Sequence, residues 1–165
     1  MTTSFGQFVI GPAGSGKSTY CSVMQEYADT VRREVKVCNL DPAAETFKYR
    51  CDIDIRDLIS LEDVMEEMKY GPNGGLVYCM EFLLENLDWL ETELSDFADD
   101  AYILFDCPGQ IELYTHLDVM NKIVNKIKGI GFTNLCAVFL ADSSQCAVSP
   151  HKFISNAFVS LSTMI

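Results

Sequence analysis

Gly11-Pro12-Ala13-Gly14-Ser15-Gly16-Lys17-Ser18 fits the pattern G-x-x-x-x-G-K-[ST]. The apolar run Gln7-Phe8-Val9-Ile10 stands directly before it, and a helical pattern follows. Strand, glycine-rich turn and helix in that order form a cradle for phosphate. The glycines let successive backbone N–H groups converge on phosphate oxygens, and the helix adds the positive end of its dipole. In such a loop Lys17 reaches the β- and γ-phosphates, and the Ser18 hydroxyl ligates Mg²⁺. Pro12, Ala13, Gly14, Ser15, Gly16, Lys17, Ser18 and Thr19 are therefore the expected nucleotide-binding residues. An ordinary glycine turn is the bland alternative, and the strand–loop–helix context speaks against it.

Three more apolar runs read as buried strands: Val35–Leu40, Ala101–Phe105 and Leu135–Ala141. Segments of helical length separate them, which implies right-handed crossovers and a mostly parallel sheet flanked by helices, an α/β fold of the P-loop NTPase kind. Ligands of such sheets lie beyond the strand carboxyl ends. Gly11, Asp41, Asp106 and Asp142 all stand there. Asp106, at the end of its strand, is the expected Mg²⁺ partner of Ser18, with a structural cap as the alternative. Asp106-Cys107-Pro108-Gly109-Gln110 goes further. Gly109 lets a backbone N–H approach the γ-phosphate, and Gln110 orients an attacking water; a plain Pro-Gly turn is the other reading. Asp41 precedes Pro42, which disfavours helix at that point. It either positions water or caps the next element, and the residues leave both open.

The chain has 165 residues, 48% hydrophobic and 22% charged, which fits one globular domain over residues 1–165. Twelve Lys and Arg stand against 24 Asp and Glu, for a formal charge of −12. Direct binding of nucleic acid or of an anionic membrane is not expected, because both need clustered basic residues. Twelve of the acids fall between Glu62 and Asp100, where Lys69 is the single base. None of the seven cysteines lies within nine residues of another, so zinc knuckles are not expected and buried free thiols are. His116 and His151 have no partner at metal-ligand spacing. The N-terminal residues lack a secretory pattern, and uncharged stretches such as 129–141 are shorter than the roughly 18 residues of a membrane span. The expectation is a soluble, intracellular protein.

Leu76, Met80, Leu83, Leu87, Leu90, Leu94 and Phe97 follow spacings of four and three, the seam of one long helix. Packing on the sheet is favoured over a helix–helix contact with a partner. Ser60 and Asp63 form a capping box for the preceding helix. From Phe153, the residues Ile154, Ala157, Phe158, Leu161, Met164 and Ile165 mark one apolar helix face with no later strand to return to. The domain is therefore expected to be incomplete at its C-terminus.

Five blocks together resemble the GPN-loop GTPases: GPAGSGKST (11–19), NLDPAAE (39–45), GPNGG (71–75), DCPGQIELYTH (106–116) and FLADS (139–143). Within that family the blocks most resemble the type-three eukaryotic branch. The resemblance implies GTP and Mg²⁺ as cofactors and dimers in which two nucleotide sites face each other. It makes Gly71, Pro72 and Asn73 a dimer-interface loop, with Asn73 acting in trans on the partner's site. The residues alone read that segment as a turn. The resemblance gives Asn73, Gln110 and Asp41 catalytic roles. It further implies sister GPN-loop GTPases or a second copy as partners, and RNA polymerase II subunits as clients for assembly and nuclear import. A cytoplasmic protein shuttling to the nucleus follows. The family reads guanine through an Asn/Thr-Lys-x-Asp type motif after the next strand, which these 165 residues do not contain, so the guanine expectation rests on the resemblance.

Two other functions compete. One is a short subunit-binding module that hydrolyses nothing, consistent with an incomplete domain. The other is a small ATP-dependent kinase, which D-x-x-G-Q and the lack of an Arg-rich lid disfavour.

Overall fold

A computed structural model describes residues 4–97, 101–115 and 118–163. His116, Met164 and Ile165 lie outside these described residues. The elements run β1 (Phe5–Ile10), α1 (Lys17–Thr30), β2 (Val35–Asn39), β3 (Ile53–Asp54), a 3₁₀ turn (Ile55–Asp57), α2 (Leu61–Met68), α3 (Pro72–Glu85) and α4 (Leu87–Ser95). There follow β4 (Tyr102–Asp106), α5 (Glu112–Thr115), α6 (Val119–Gly129), β5 (Asn134–Phe139), α7 (Ser143–Val148) and α8 (Pro150–Ser162).

Alternation along the strands explains why both sheet faces are covered. Phe8, Ile10, Cys38, Ile103 and Phe105 point into a core with Leu76, Met80, Leu83, Leu90 and Ile123 from the helices α3, α4 and α6. Val9, Val35, Val37 and Leu104 point the other way, onto Cys21 and Ala28 of α1. A strand buried on both sides is mostly apolar, which is the pattern of β1, β2 and β4, with Gln7, Lys36, Asn39 and Asp106 as their polar positions. The sheet is parallel throughout, in the order β3-β2-β4-β1-β5. Its register pairs Val9 with Asp106 and Asn39 with Asp106, so β1, β4 and β2 end level. Lys17 at the start of α1, Asp106 at the tip of β4 and Asp41 just after β2 thus lie at the same end of the sheet.

Several expectations need correction. The heptad seam does pack on the sheet, but it is two helices rather than one. Asn86 breaks it at φ −114°, ψ 34°, with its side-chain amide donating to the Phe82 carbonyl at 2.8 Å. An Asn side chain that competes for a backbone carbonyl is an ordinary helix interrupter. Gly71–Gly75 is not a free turn. It opens α3, with Gly71 as N-cap and Pro72 at the first helical position, where its missing N–H costs nothing. Residues Leu135–Ala141 do not form a buried strand, since β5 is an edge strand whose outer side is largely exposed. Cys136 is accordingly exposed; Cys21, Cys38, Cys79 and Cys107 are buried and all seven thiols are free. The Ser60 cap is as expected, its hydroxyl accepting from the Asp63 N–H at 3.2 Å.

The apolar face of α8 lies open: Phe153, Ile154, Phe158 and Leu161 are 49–65% exposed. Such a face and the open edge of β5 each favour association. The 165-residue chain is therefore expected to self-associate in size-exclusion chromatography with light scattering. Replacing Phe153 and Phe158 by Ser should shift it toward monomer. A monodisperse wild-type monomer at tens of micromolar would contradict this.

Candidate nucleotide site

The loop after β1 takes its shape from two left-handed glycines, Gly14 at φ 76° and Gly16 at φ 97°, the latter being the N-cap of α1. Side chains rarely adopt that backbone, so the sequence can close this turn only with glycine there. The Ser15 N–H donates to the Pro12 carbonyl at 3.1 Å, and the Lys17 ammonium folds back to the same carbonyl at 3.3 Å. Lys17 is only 8% exposed, with its charge held over the loop. Thr19 lies exposed in the first turn of α1.

Asp106 stands against this loop at the end of β4, 3% exposed. The Ser18 hydroxyl donates to its Oδ2 at 2.8 Å, and so does the Tyr49 hydroxyl at 3.0 Å. The other oxygen, Oδ1, is buried without a hydrogen-bond partner, as is the Ser15 hydroxyl. Two orphaned polar atoms, one on the phosphate loop and one on the strand end beside it, are what a site built for a charged ligand leaves behind. The donor set is hard oxygen from one hydroxyl and one carboxylate. It suits Mg²⁺, which keeps most of its water and takes few protein ligands beside phosphate. Among the described residues no cluster of three or more His, Cys, Asp or Glu offers another metal site.

The electrostatics agree. Burial pushes the Asp106 carboxyl above the usual carboxylate range, while the hydrogen bonds from Ser18 and Tyr49 and the Lys17 charge pull it back. Asp41 is raised by burial too, and by the charge of Asp106, against a backbone bond and Lys17. Its Oδ1 accepts from the Ala43 N–H at 3.0 Å, so it does cap the next turn; its backbone is tied to buried Asn39 by two 3.0 Å bonds. Gly109 lies directly on the phosphate loop: a Cβ there would fall 2.9 Å from the Ala13 nitrogen. Gln110 reaches elsewhere, its amide donating to Asn73 Oδ1 at 2.7 Å within the same chain. The structure thus gathers Lys17, Ser18, Asp41, Asp106 and Gly109 and ties Gln110 to Asn73. Tyr49 enters as a residue outside every motif, and Asn39, which opens the 39–45 block, takes a role in holding Asp41 that the block did not assign to it.

Known proteins are similar to this chain in sequence and in fold. Residues 9–165 match a family model described as "Conserved hypothetical ATP binding protein". Proteins named "GPN-loop GTPase 3" from Dictyostelium discoideum, Xenopus tropicalis and Saccharomyces cerevisiae are 54%, 55% and 53% identical over 96–98% of this chain. The chain belongs to the GPN-loop family. It spans 55–58% of the length of those relatives. The solved structure of a GTPase in apo form from Pyrococcus abyssi shares the fold, with a TM-score of 0.79 and 25% identity over 96% of this chain and 63% of that one.

A raised carboxyl pKa means that the folded state holds its proton to higher pH than the unfolded chain does. Stability therefore falls as pH climbs from the unfolded value through the folded one, and the cost of the buried charge is fully present only above the folded value. Asp106→Asn keeps an acceptor for Ser18 and Tyr49 but removes that charge. It should raise the metal-free melting temperature by a few degrees at pH 7.5, with the gain fading toward pH 4. The same variant should lose the extra thermal shift that Mg²⁺ adds to bound nucleotide. Calorimetry of both proteins at the two pH values checks this.

Proposed function

We propose that this chain forms the nucleotide-binding part of a GTPase that binds and hydrolyses GTP with Mg²⁺. The carrying observation is the Lys17–Ser18–Asp106 cluster with two unpartnered buried oxygens at it, Asp106 Oδ1 and the Ser15 hydroxyl of the loop. Lys17 and the loop N–H groups would hold the phosphates, and Ser18 and Asp106 would hold Mg²⁺, which neutralises phosphate charge when bound. Asp41 and Gln110 would order the attacking water. The choice of GTP over ATP follows the names of the relatives, because the family description speaks of ATP and the loop itself reads only phosphate.

The proposal extends to a dimer, of two copies or with a sister protein of the family, in which Asn73 serves the facing site. RNA polymerase II subunits as clients, assembly and nuclear import of that enzyme, and a cytoplasmic location with shuttling rest on the family resemblance. A second reading, a subunit-binding module without turnover, is favoured by the open α8 face and β5 edge. Turnover by this chain would exclude it.

Lys17→Ala should reduce binding of a fluorescent guanine nucleotide below detection while the fold persists by circular dichroism. Near-normal binding would remove the site assignment, and competition with unlabelled ATP reports the base preference. Asn73→Ala should keep affinity nearly intact and slow hydrolysis. Mixed with Lys17→Ala subunits, it should regain turnover at one site per heterodimer if Asn73 acts in trans. No recovery would place its action within its own chain, through Gln110.

A further inference from the structure

Tyr49 lies in the long connection between β2 and β3, in none of the motifs that define the site. It is 7% exposed, and its hydroxyl donates to the same Asp106 oxygen that accepts from Ser18. The segment around it is fastened to α1, the helix that starts at Lys17. Ser22 donates to the Lys48 carbonyl at 3.1 Å, and Gln25 both accepts from the Arg50 N–H at 2.8 Å and donates to the Arg50 carbonyl at 3.0 Å. Three bonds thus clamp the backbone on both sides of Tyr49. Its ring stacks on Phe47 at 5.0 Å, and the Arg56 guanidinium covers Phe47 at 4.5 Å while forking onto Asp54. A tyrosine needed only as core filling requires no such aim.

We propose that Tyr49 is a positioning residue for the cation site, holding Asp106 Oδ2 so that Oδ1 faces the Mg²⁺ shell. A carboxylate gripped at one oxygen by hydroxyls from two separate elements cannot rotate without breaking both bonds. The grip outlasts ligand binding, because Ser18 can give lone pairs to a cation while its hydrogen stays on Asp106. Without Tyr49, Ser18 alone must both orient Asp106 and serve the cation. The inference rests on the nucleotide–Mg²⁺ reading of this site.

The test titrates Mg²⁺ into the 165-residue chain carrying a fluorescent guanine nucleotide and follows nucleotide release. Outer partners of metal ligands commonly contribute 10–100-fold in metal affinity, so Tyr49→Phe should raise the Mg²⁺ midpoint about tenfold. Release in EDTA should stay unchanged, a split that a merely structural role would not produce. In an Asp106→Asn background, Tyr49→Phe should add nothing further. If Tyr49→Phe loses its cooperative melt, Ser22→Ala, which frees the Lys48 carbonyl and leaves Asp106 untouched, should show a smaller shift of the same sign. An unmoved midpoint in a Mg²⁺-responsive wild type, or an equal loss in EDTA, overturns the inference alone. A wild type that holds nucleotide equally well with and without Mg²⁺ overturns the site reading and the inference with it.

Discussion

A carboxylate is buried at the end of the central strand β4 with one oxygen gripped and the other bare. Ionised groups resist burial, at a cost of several kcal/mol even after relaxation. Two hydroxyl donors, each worth about 1.5–3 kcal/mol to a charged acceptor, offset much of that cost and leave one oxygen unserved. The surrounding elements are arranged so that Asp106 can stay there. The level strand ends bring α1 and the β2–β3 connection to it, and the two faces of apolar side chains fix the strand that carries it. The fold accepts a partly compensated negative charge where a bound cation would complete the compensation.

How much of this could be read from the residues divides along a physical line. Local chemistry was legible. The phosphate loop, the acids at strand ends and the Ser60 cap each depend on neighbours within a few positions. Strands β1, β2 and β4 announced themselves because double burial demands continuous apolar runs. Strand β5 carries the same run, yet the structure leaves its outer side exposed, because burial depends on what packs there and not on the strand itself. The two-residue β3 has too little pattern to be seen.

Long-range side-chain pairings were not legible. Tyr49 meets Asp106 across 57 positions and Gln110 meets Asn73 across 37, and no spacing rule links either pair. The seam from Leu76 to Phe97 predicted packing correctly and continuity wrongly, since heptad spacing survives a one-residue interruption such as Asn86. Resemblance singled out Asn73, and the structure adds that within one chain its amide oxygen is already engaged by Gln110.

The order of the sheet also sets a timetable for synthesis. Strand β1 pairs with β4 and β5 and with no strand near it in the chain, Phe5 lying beside Tyr102 and Asn134. At about 5–20 residues per second, a ribosome needs on the order of 5–20 s to supply the first of those partners. Through that interval Phe8, Val9 and Ile10 have no sheet to join, and the phosphate loop hangs from an unpaired strand. Lys17 is made well before Asp106, so the nucleotide site cannot exist on the nascent chain until β4 has emerged.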